Sequence, residues 1–453
     1  MRRAIVMGGS FAGLLAARVV SEFVDEVVIL EPDELLGAGL GRGAPHRQQL
    51  HALLSMGHAQ LERWFPGITR NLLTAGAQVG TGDAVQFYVD GTLKPPVPDS
   101  LMIGATRPLI ENHVRQRVVG LPNVVWRVGL ATGIRFTGSR VSGVRFTTRD
   151  GHSSVRAADC ELGADLVVDA MGRASRLSSW LDDTGWDAPP VDRMRIDLGY
   201  ATATFHRPAS QPPPAVIAHS TPGPASAYQP TICEPGALAA VEGNRWSVVL
   251  AGYADYRPSA DPDEFLARMR RCVAPIRSVA NECVMDGDVH TFHFRESQRR
   301  NFMDLARFPG GLVAVGDSVA SVNPIYGQGL TLAALQASSL FAHLRSGVSP
   351  HQAAWGYFRR AGVVVDAAWQ VSATADLAQP HVKGPSPRGY RLLRWAGDKI
   401  TAASVIDPLV NKAFMDVVHM REHPRALTRP SLLLRAARAT VRPPRVRATP
   451  PLT

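Results

Sequence analysis

The chain has 453 residues, 45% of them hydrophobic and 19% charged, with 4 cysteines and a formal net charge of +10. Its length predicts two or three domains with a sizeable core, and no uncharged apolar run is long enough to span a bilayer. Cys160, Cys233, Cys272 and Cys283 lie too far apart in sequence for a zinc site, a redox dithiol or a disulfide framework, so the cytoplasm is the expected compartment.

Residues 4–7 form an apolar strand that runs into Gly8-Gly9-Ser10-Phe11-Ala12-Gly13, then a helix, then a second strand, 26–31, ending at Glu31. Arg2 and Arg3 give this start the outline of a signal peptide, but glycines interrupt it and no cleavage pattern follows, so it reads as a mature strand. In a dinucleotide-binding unit one glycine allows the turn, a second small residue lets backbone approach a pyrophosphate, and a third lets helix pack on strand. Those positions are Gly8, Ser10 and Gly13. The helix start, with Phe11 and Ala12, would face the anion with its free N–H groups and positive dipole end. Glu31 arrives about 20 residues on, where a carboxylate accepts from ribose hydroxyls. The competing reading is an ordinary βαβ unit with a glycine-rich turn.

Residues 37–43 imitate a second glycine fingerprint, but no strand precedes them and Pro45 follows too soon for a helix, so a loop near the cofactor is expected. Arg42 and Arg47 are candidates for phosphate contacts or solvated surface residues. His51 and His58 read as packing residues before catalytic ones. Residues 78–101 read as hairpins, and Thr106 predicts the cap of a helix that begins near Arg107 and Pro108. Arg107 at such a start can reach a phosphate or flavin oxygen. Strands near 124–126, 134–136 and 144–146 read as a meander.

Residues 164–169 are another buried strand breaking at Gly172, with Asp169 either a functional carboxylate or a turn residue. From Arg193 the composition shifts to short alternating strands, near 198–205, 246–250 and 290–294, separated by Pro/Gly-rich loops. This predicts an inserted antiparallel sheet. Tyr200, Phe205, Trp246, Phe292 and Phe294 are candidates for its pocket wall, at least half of them expected only to pack the core. The first pattern returns at 311–330: strand, Gly316-Asp317, a loop through Pro324, Tyr326, Gly327 and Gln328, and a small-residue helix from Gly329-Leu330. Asp317 can accept from a polyol, and N–H groups at the helix start can face a ring carbonyl carrying negative charge. Beyond 345 the chain reads as helical. The arginine-rich tail from Arg425 reads as solvated or disordered before it reads as a peripheral membrane contact. Charge elsewhere is dispersed without a nucleic-acid-binding motif, which argues against such a partner.

Three stretches, Gly8 to Gly13 with Glu31, Asp165 to Ser175, and Gly316 to Gly329, resemble the FAD signatures of the single-component (class A) flavoprotein monooxygenases. Within that family the chain looks most similar to bacterial polyether epoxidases of the monensin and lasalocid type. The resemblance implies an α/β fold: a Rossmann-like FAD-binding domain in three layers, β-β-α, with an inserted antiparallel-sheet substrate domain and a C-terminal helical region. The implied division is 1–190 and 291–345 for the FAD domain, with a hairpin insertion near 78–101. Residues 191–290 form the substrate domain and 346–453 the C-terminal helices and basic tail. It also implies that Gly8, Ser10, Gly13 and Glu31 hold the ADP half, that Arg107 and Asp317 bind the pyrophosphate and ribityl region, and that 324–330 lies at the isoalloxazine. One departure stands out: the family's middle signature has aspartate directly before the glycine, where this chain has Met171, with Asp169 two residues earlier.

The expected activity is therefore an FAD-dependent monooxygenase using O2 and NAD(P)H through a flavin C4a-hydroperoxide, with NAD(P)H a transient co-substrate and no metal. The expected reaction is epoxidation of an alkene in a lipophilic polyketide or terpenoid intermediate, because 193–294 offers no compact acid–base cluster for activating a phenol. Aromatic hydroxylation on the same fold and flavin-dependent reduction of prenyl double bonds are the alternatives. A flavoprotein that binds FAD only for structure or partner recognition is the non-enzymatic one.

Overall fold

The computed structural model describes residues 1–34, 45–148, 158–208, 217–221 and 235–441. Arg42 and the rest of the 37–43 loop lie outside them. Five parallel strands form the core in the order Leu312–Ala314, Leu166–Asp169, Arg3–Met7, Glu26–Glu31, Val124–Val128. These strands are apolar without alternation because the sheet is covered on both faces. The helices Phe11–Val20 and Gly329–Leu344 pack together on one side. A separate three-stranded antiparallel sheet, Leu130–Thr137, Arg140–Thr148 and Ala158–Gly163, covers the other. Met7 is in register with Asp169, and Asp169 with Ala314, so the chain leaves three neighbouring strands at one level. Ligands of open parallel sheets bind at that carboxyl edge.

The segment at 124–128 is corrected here: it is the edge strand of the parallel sheet, not part of the meander. Its pairing partner, 26–31, is nearly a hundred residues away, and local alternation cannot register that distance.

The second body is an eight-stranded sheet in the order 320–321, 285–300, 191–206, 245–253, 236–241, 217–221, 85–89, 92–93. All its pairs are antiparallel except 217–221 with 85–89. The strands Val191–His206 and Met285–Arg300 each run 16 residues, longer than the sequence pattern implies. Register shifts between Arg195 and Leu198 and between Thr202 and Thr204 explain the discrepancy, since each interrupts the alternation. The helices Pro262–Met269 and Ala274–Glu282 cover one face of this sheet. The opposite face turns to the parallel-sheet body and the C-terminal helices.

The tail is also corrected as far as it is described. Pro430–Val441 is a helix, with Ala436 fully buried against Ile400, Ala403 and Val410, and Arg435 paired to Asp407 at 2.7 Å. Leu432, Leu433 and Ala439 pack in part against the same cluster. Among the described residues no helix is long and apolar enough to cross one.

Candidate active site

The turn after Arg3–Met7 shows why small residues are required there. Gly8 has φ +107, and a Cβ on it would strike the Ala170 carbonyl; a Cβ on Gly13 would strike the Gly8 carbonyl itself. Helix and turn are therefore in backbone contact. Ser10 caps the helix Phe11–Val20 by position only, because its side chain makes no cap hydrogen bond to that first turn. The first-turn N–H groups are thus left for an external acceptor. Glu31 ends its strand 7% exposed and accepts from the N–H of Gly9 at 2.5 Å and of Asp33 at 3.2 Å. Burial raises its carboxyl pKa against those hydrogen bonds. Beside it the Trp126 indole packs close to Gly9, with its buried Nε1 unpartnered.

Arg107 opens the helix Arg107–Val119 after the Thr106 cap, as the sequence predicts. Its guanidinium donates to Ser10 Oγ at 3.2 Å and to Glu111 at 3.3 Å, and lies 3.0 Å from His51 Nε2. His51 Nδ1 meets the Gln49 carbonyl at 2.7 Å, so Nε2 is the acceptor toward Arg107 and the ring holds the arginine in place. Burial alone would raise the Glu111 carboxyl, but Arg107 and Arg47 hold it below the usual range. Arg47 pairs with Glu111 at 2.8 Å and Arg115 at 3.1 Å, so three guanidinium groups surround one carboxylate next to Ser10. The excess positive charge suits a pyrophosphate. The arginine–glutamate spacing i,i+4 on one helix is visible in the sequence; the approach of His51 and Arg47 is not.

Against the start of the first helix, Gly316 has φ +63 and a Cβ there would lie 2.5 Å from the Cβ of Ala12. Its N–H donates to buried Gln336 Oε1 at 2.6 Å, which ties the turn to the helix Gly329–Leu344. Asp317 has its carboxyl raised by burial, opposed by Ser321 and by Arg107, Arg173 and Arg300. Asp169 is fully buried and accepts from Met171 N at 3.0 Å, Ser175 Oγ at 2.5 Å and Ser318 Oγ at 3.1 Å. Its contacts are all internal, so it positions the 316–318 turn. Met171 supplies only a backbone N–H to this arrangement. The helix Gly329–Leu344 has no side-chain cap, and at its start Gln328 Oε1 and Thr331 Oγ1 are buried without partners. Gly329 itself is exposed, and a Cβ added to it would meet nothing within 4 Å. An acceptor laid against this helix start would find free donors and open space.

Tyr200, Phe292 and Phe294 lie on the sheet face that turns to the 323–330 loop. Phe205 and Trp246, expected among the wall candidates, are brought to the opposite face, where Phe205 stacks on Phe265 at 6.4 Å. The two-residue period of a strand separates 200 from 205.

A cluster that sequence reasoning missed meets the loop from this side. Buried Asp376, from the helix Trp355–Asp376, accepts at Oδ1 from Asn323 Nδ2 at 2.7 Å and from the Tyr326 hydroxyl at 3.0 Å. Asn323 also donates to the Tyr253 hydroxyl at 3.2 Å, while Asp376 Oδ2 and the Tyr200 hydroxyl are buried and unpartnered. Burial pushes the Asp376 carboxyl up to about 7, against the two hydrogen bonds. No motif flags an aspartate 50 residues beyond its tyrosine partner.

The parallel core, the second sheet and the C-terminal helices form a mixed α/β fold with a Rossmann-like centre. A likeness to solved structures agrees: p-nitrophenol 4-monooxygenase PnpA from Pseudomonas putida matches at TM-score 0.62 and 15% identity, covering 95% of this chain and 100% of that one. PqsL from Pseudomonas aeruginosa, described as a probable FAD-dependent monooxygenase, matches at 0.62 and 17%, covering 88% and 99%. The flavin-dependent brominase Bmp2 matches at 0.56 and 16%, covering 96% and 92%. No family model matches the chain. The chain belongs to the family of Protein Rv3254 of Mycobacterium tuberculosis, with 30% identity over 425 residues, 91% of this chain and 88% of that protein.

Proposed function

We propose that the protein is an FAD-dependent monooxygenase that oxygenates an unsaturated carbon of a lipophilic small molecule, with O2 and a transiently docked NAD(P)H. The observation that carries this reading is the pair of helix starts without side-chain caps, at Phe11 and Gly329, on two helices that pack together, with Arg107 bonded to Ser10, Glu31 to Gly9, and the Gly316-Asp317 turn against Ala12. These residues fit FAD: the first helix, Ser10 and Arg107 would hold the pyrophosphate, Glu31 the adenosine ribose, Asp317 the ribityl chain, and 324–330 the isoalloxazine. When bound, the flavin supplies the activation of dioxygen. The chain's own residues bind and orient it, exclude water and present the substrate.

The chain should accordingly purify with noncovalent FAD, and Glu31→Ala and Asp317→Ala should each weaken its retention. Heat release of FMN, or no flavin after reconstitution, would refute this. NAD(P)+ retained tightly alongside FAD would refute the transient docking of the nicotinamide, which is expected because only one complete fingerprint is present.

Epoxidation of an alkene remains the first reading for the reaction. Tyr200, Phe292 and Phe294 supply an apolar wall, and an alkene is electron-rich enough to be oxygenated without a base once water is excluded. Hydroxylation of a phenol is the second, and the Asp376–Tyr326 hydrogen bond specifically favours it. The sequence-based preference for an alkene rests on the lack of an acid–base cluster within 193–294, whereas Asp376 and Tyr326 lie outside that segment. Turnover of candidate alkenes and phenols under labelled dioxygen decides between them. A labelled epoxide or diol supports the first, a labelled catechol or hydroquinone the second, and anaerobic saturation of a double bond would overturn both.

A further inference from the structure

Far along the same sheet face lies a polar group that the proposed chemistry does not use. Lys94 follows the strand Thr92–Leu93, with its N–H bonded to the Phe87 carbonyl at 2.9 Å, and is 5% exposed. Its ammonium sits 3.7 Å from the centroid of the Phe414 ring and 3.9 Å from Met415 Sδ. Among the described residues no carboxylate pairs with it. One turn on from Met415, buried His419 accepts the Ser55 N–H at Nδ1, 3.4 Å away. The ring proton therefore sits on Nε2, a buried donor without a partner. The His419 ring meets Phe87 edge-on at 6.1 Å. Lys94 and His419 thus flank Phe87, each with an unused donor.

Nearby carboxylates are already engaged. Lys412 pairs with Asp99 at 3.2 Å and with Asp416 at 2.9 Å, and Arg421 pairs with Asp416 at 3.4 Å. A buried ammonium without a counter-ion is costly, and burial lowers the Lys94 pKa to about 7. An incoming anion would remove that cost.

Between the 323–330 loop and this group lies an apolar patch. A Cβ on Gly327 would lie 3.0 Å from Ala52 and 3.9 Å from Leu54. These belong to the patch with Leu50, Val85, Phe87 and Met102, and Leu50, Ala52 and Phe87 keep part of their surface open. From the strand of Tyr200 to that of Phe87 is four strand spacings, roughly 19 Å.

We propose that Lys94 and His419 form the distal end of the substrate site and bind a carboxylate at the far end of an elongated lipophilic substrate. This rests on the monooxygenase reading for what happens at the near end. The test is a fluorescence titration of the purified chain with cis-parinaric acid and with its methyl ester, at about pH 6 so that Lys94 is charged. The acid should bind the wild type about tenfold more tightly than the ester. Lys94→Met should abolish that advantage while leaving ester binding within about twofold, and His419→Gln should reduce the advantage in part. Methionine matches the lysine stem and removes a buried charge, so the variant is expected to fold. Equal binding of acid and ester, an undiminished preference in Lys94→Met, or binding of neither probe would overturn the proposal. The readout needs no turnover, so absence of flavin or of oxygenation would refute the proposed function without deciding this result.

Discussion

Gly13→Ala is expected to yield a chain that retains no flavin and melts well below the wild type. The added methyl would enter the Gly8 carbonyl, and both partners are backbone, so neither has a rotamer that relieves the clash. Overpacking of this kind typically costs about 1–3 kcal/mol, and more where the helix must lift from the turn. Lifting it also moves the N–H groups that would face the pyrophosphate. Gly329→Val provides the contrast. That position is open, so the variant should fold with an unchanged melting temperature, yet under the proposed function its side chain would meet the isoalloxazine and weaken flavin retention. Flavin content and thermal melting of the two variants separate the effects. Wild-type flavin content in Gly13→Ala would show that the turn does not serve a dinucleotide.

Asp376→Asn should stabilise the protein above neutral pH while disabling oxygenation of a phenol. The carboxyl is raised from its ordinary value to about 7 by burial, so the folded state prefers it protonated. Stability from this group is fully present below the unfolded value near 4 and is lost as pH rises to about 7. The loss is at most on the order of 4 kcal/mol. The asparagine variant keeps an acceptor for Tyr326 and Asn323 but cannot ionise, so its melting temperature should stay flat from about pH 5 to 8 where that of the wild type declines. In catalysis, the ionised Asp376 would take a proton relayed through Tyr326 from a phenolic hydroxyl. Its loss should lower phenol turnover about 100-fold and remove the limb of the pH profile near 7. Alkene epoxidation needs no such acceptor and should be unaffected. Equal pH dependence of melting in variant and wild type would refute the assignment of a buried, titrating carboxyl.

The two cases differ in how legible they are from sequence. Gly8, Ser10, Gly13 and Glu31 occur within one βαβ unit, so spacing alone indicates that turn, helix and acid meet. The Thr106 cap, the Arg107 helix start and the strand–Gly316-Asp317–helix unit are legible for the same reason: each contact that defines them is short in sequence. The parallel core and the inserted sheet also follow from local pattern, because continuous apolar runs and two-residue alternation record how many faces of a strand are covered.

Whatever depends on which distant segments pair was decided only in three dimensions. The strand at 124–128 joins the parallel sheet through 26–31, and the strand at 85–89 joins the large sheet through 217–221. The two-residue period puts Tyr200 and Phe205 on opposite faces, but only the packing on each face decides that Tyr200 turns to the loop while Phe205 stacks on Phe265. The strongest polar features followed the same rule. Asp376 meets Tyr326 and Asn323 across 50 and 53 residues, and His419 meets Ser55 across 364. The amino-acid order by itself determined a Rossmann-like α/β body with an inserted sheet, since each local unit carries its own geometric requirement. Tertiary packing alone decided which titratable groups are buried together, because desolvation and pairing depend on neighbours that local periodicity does not encode.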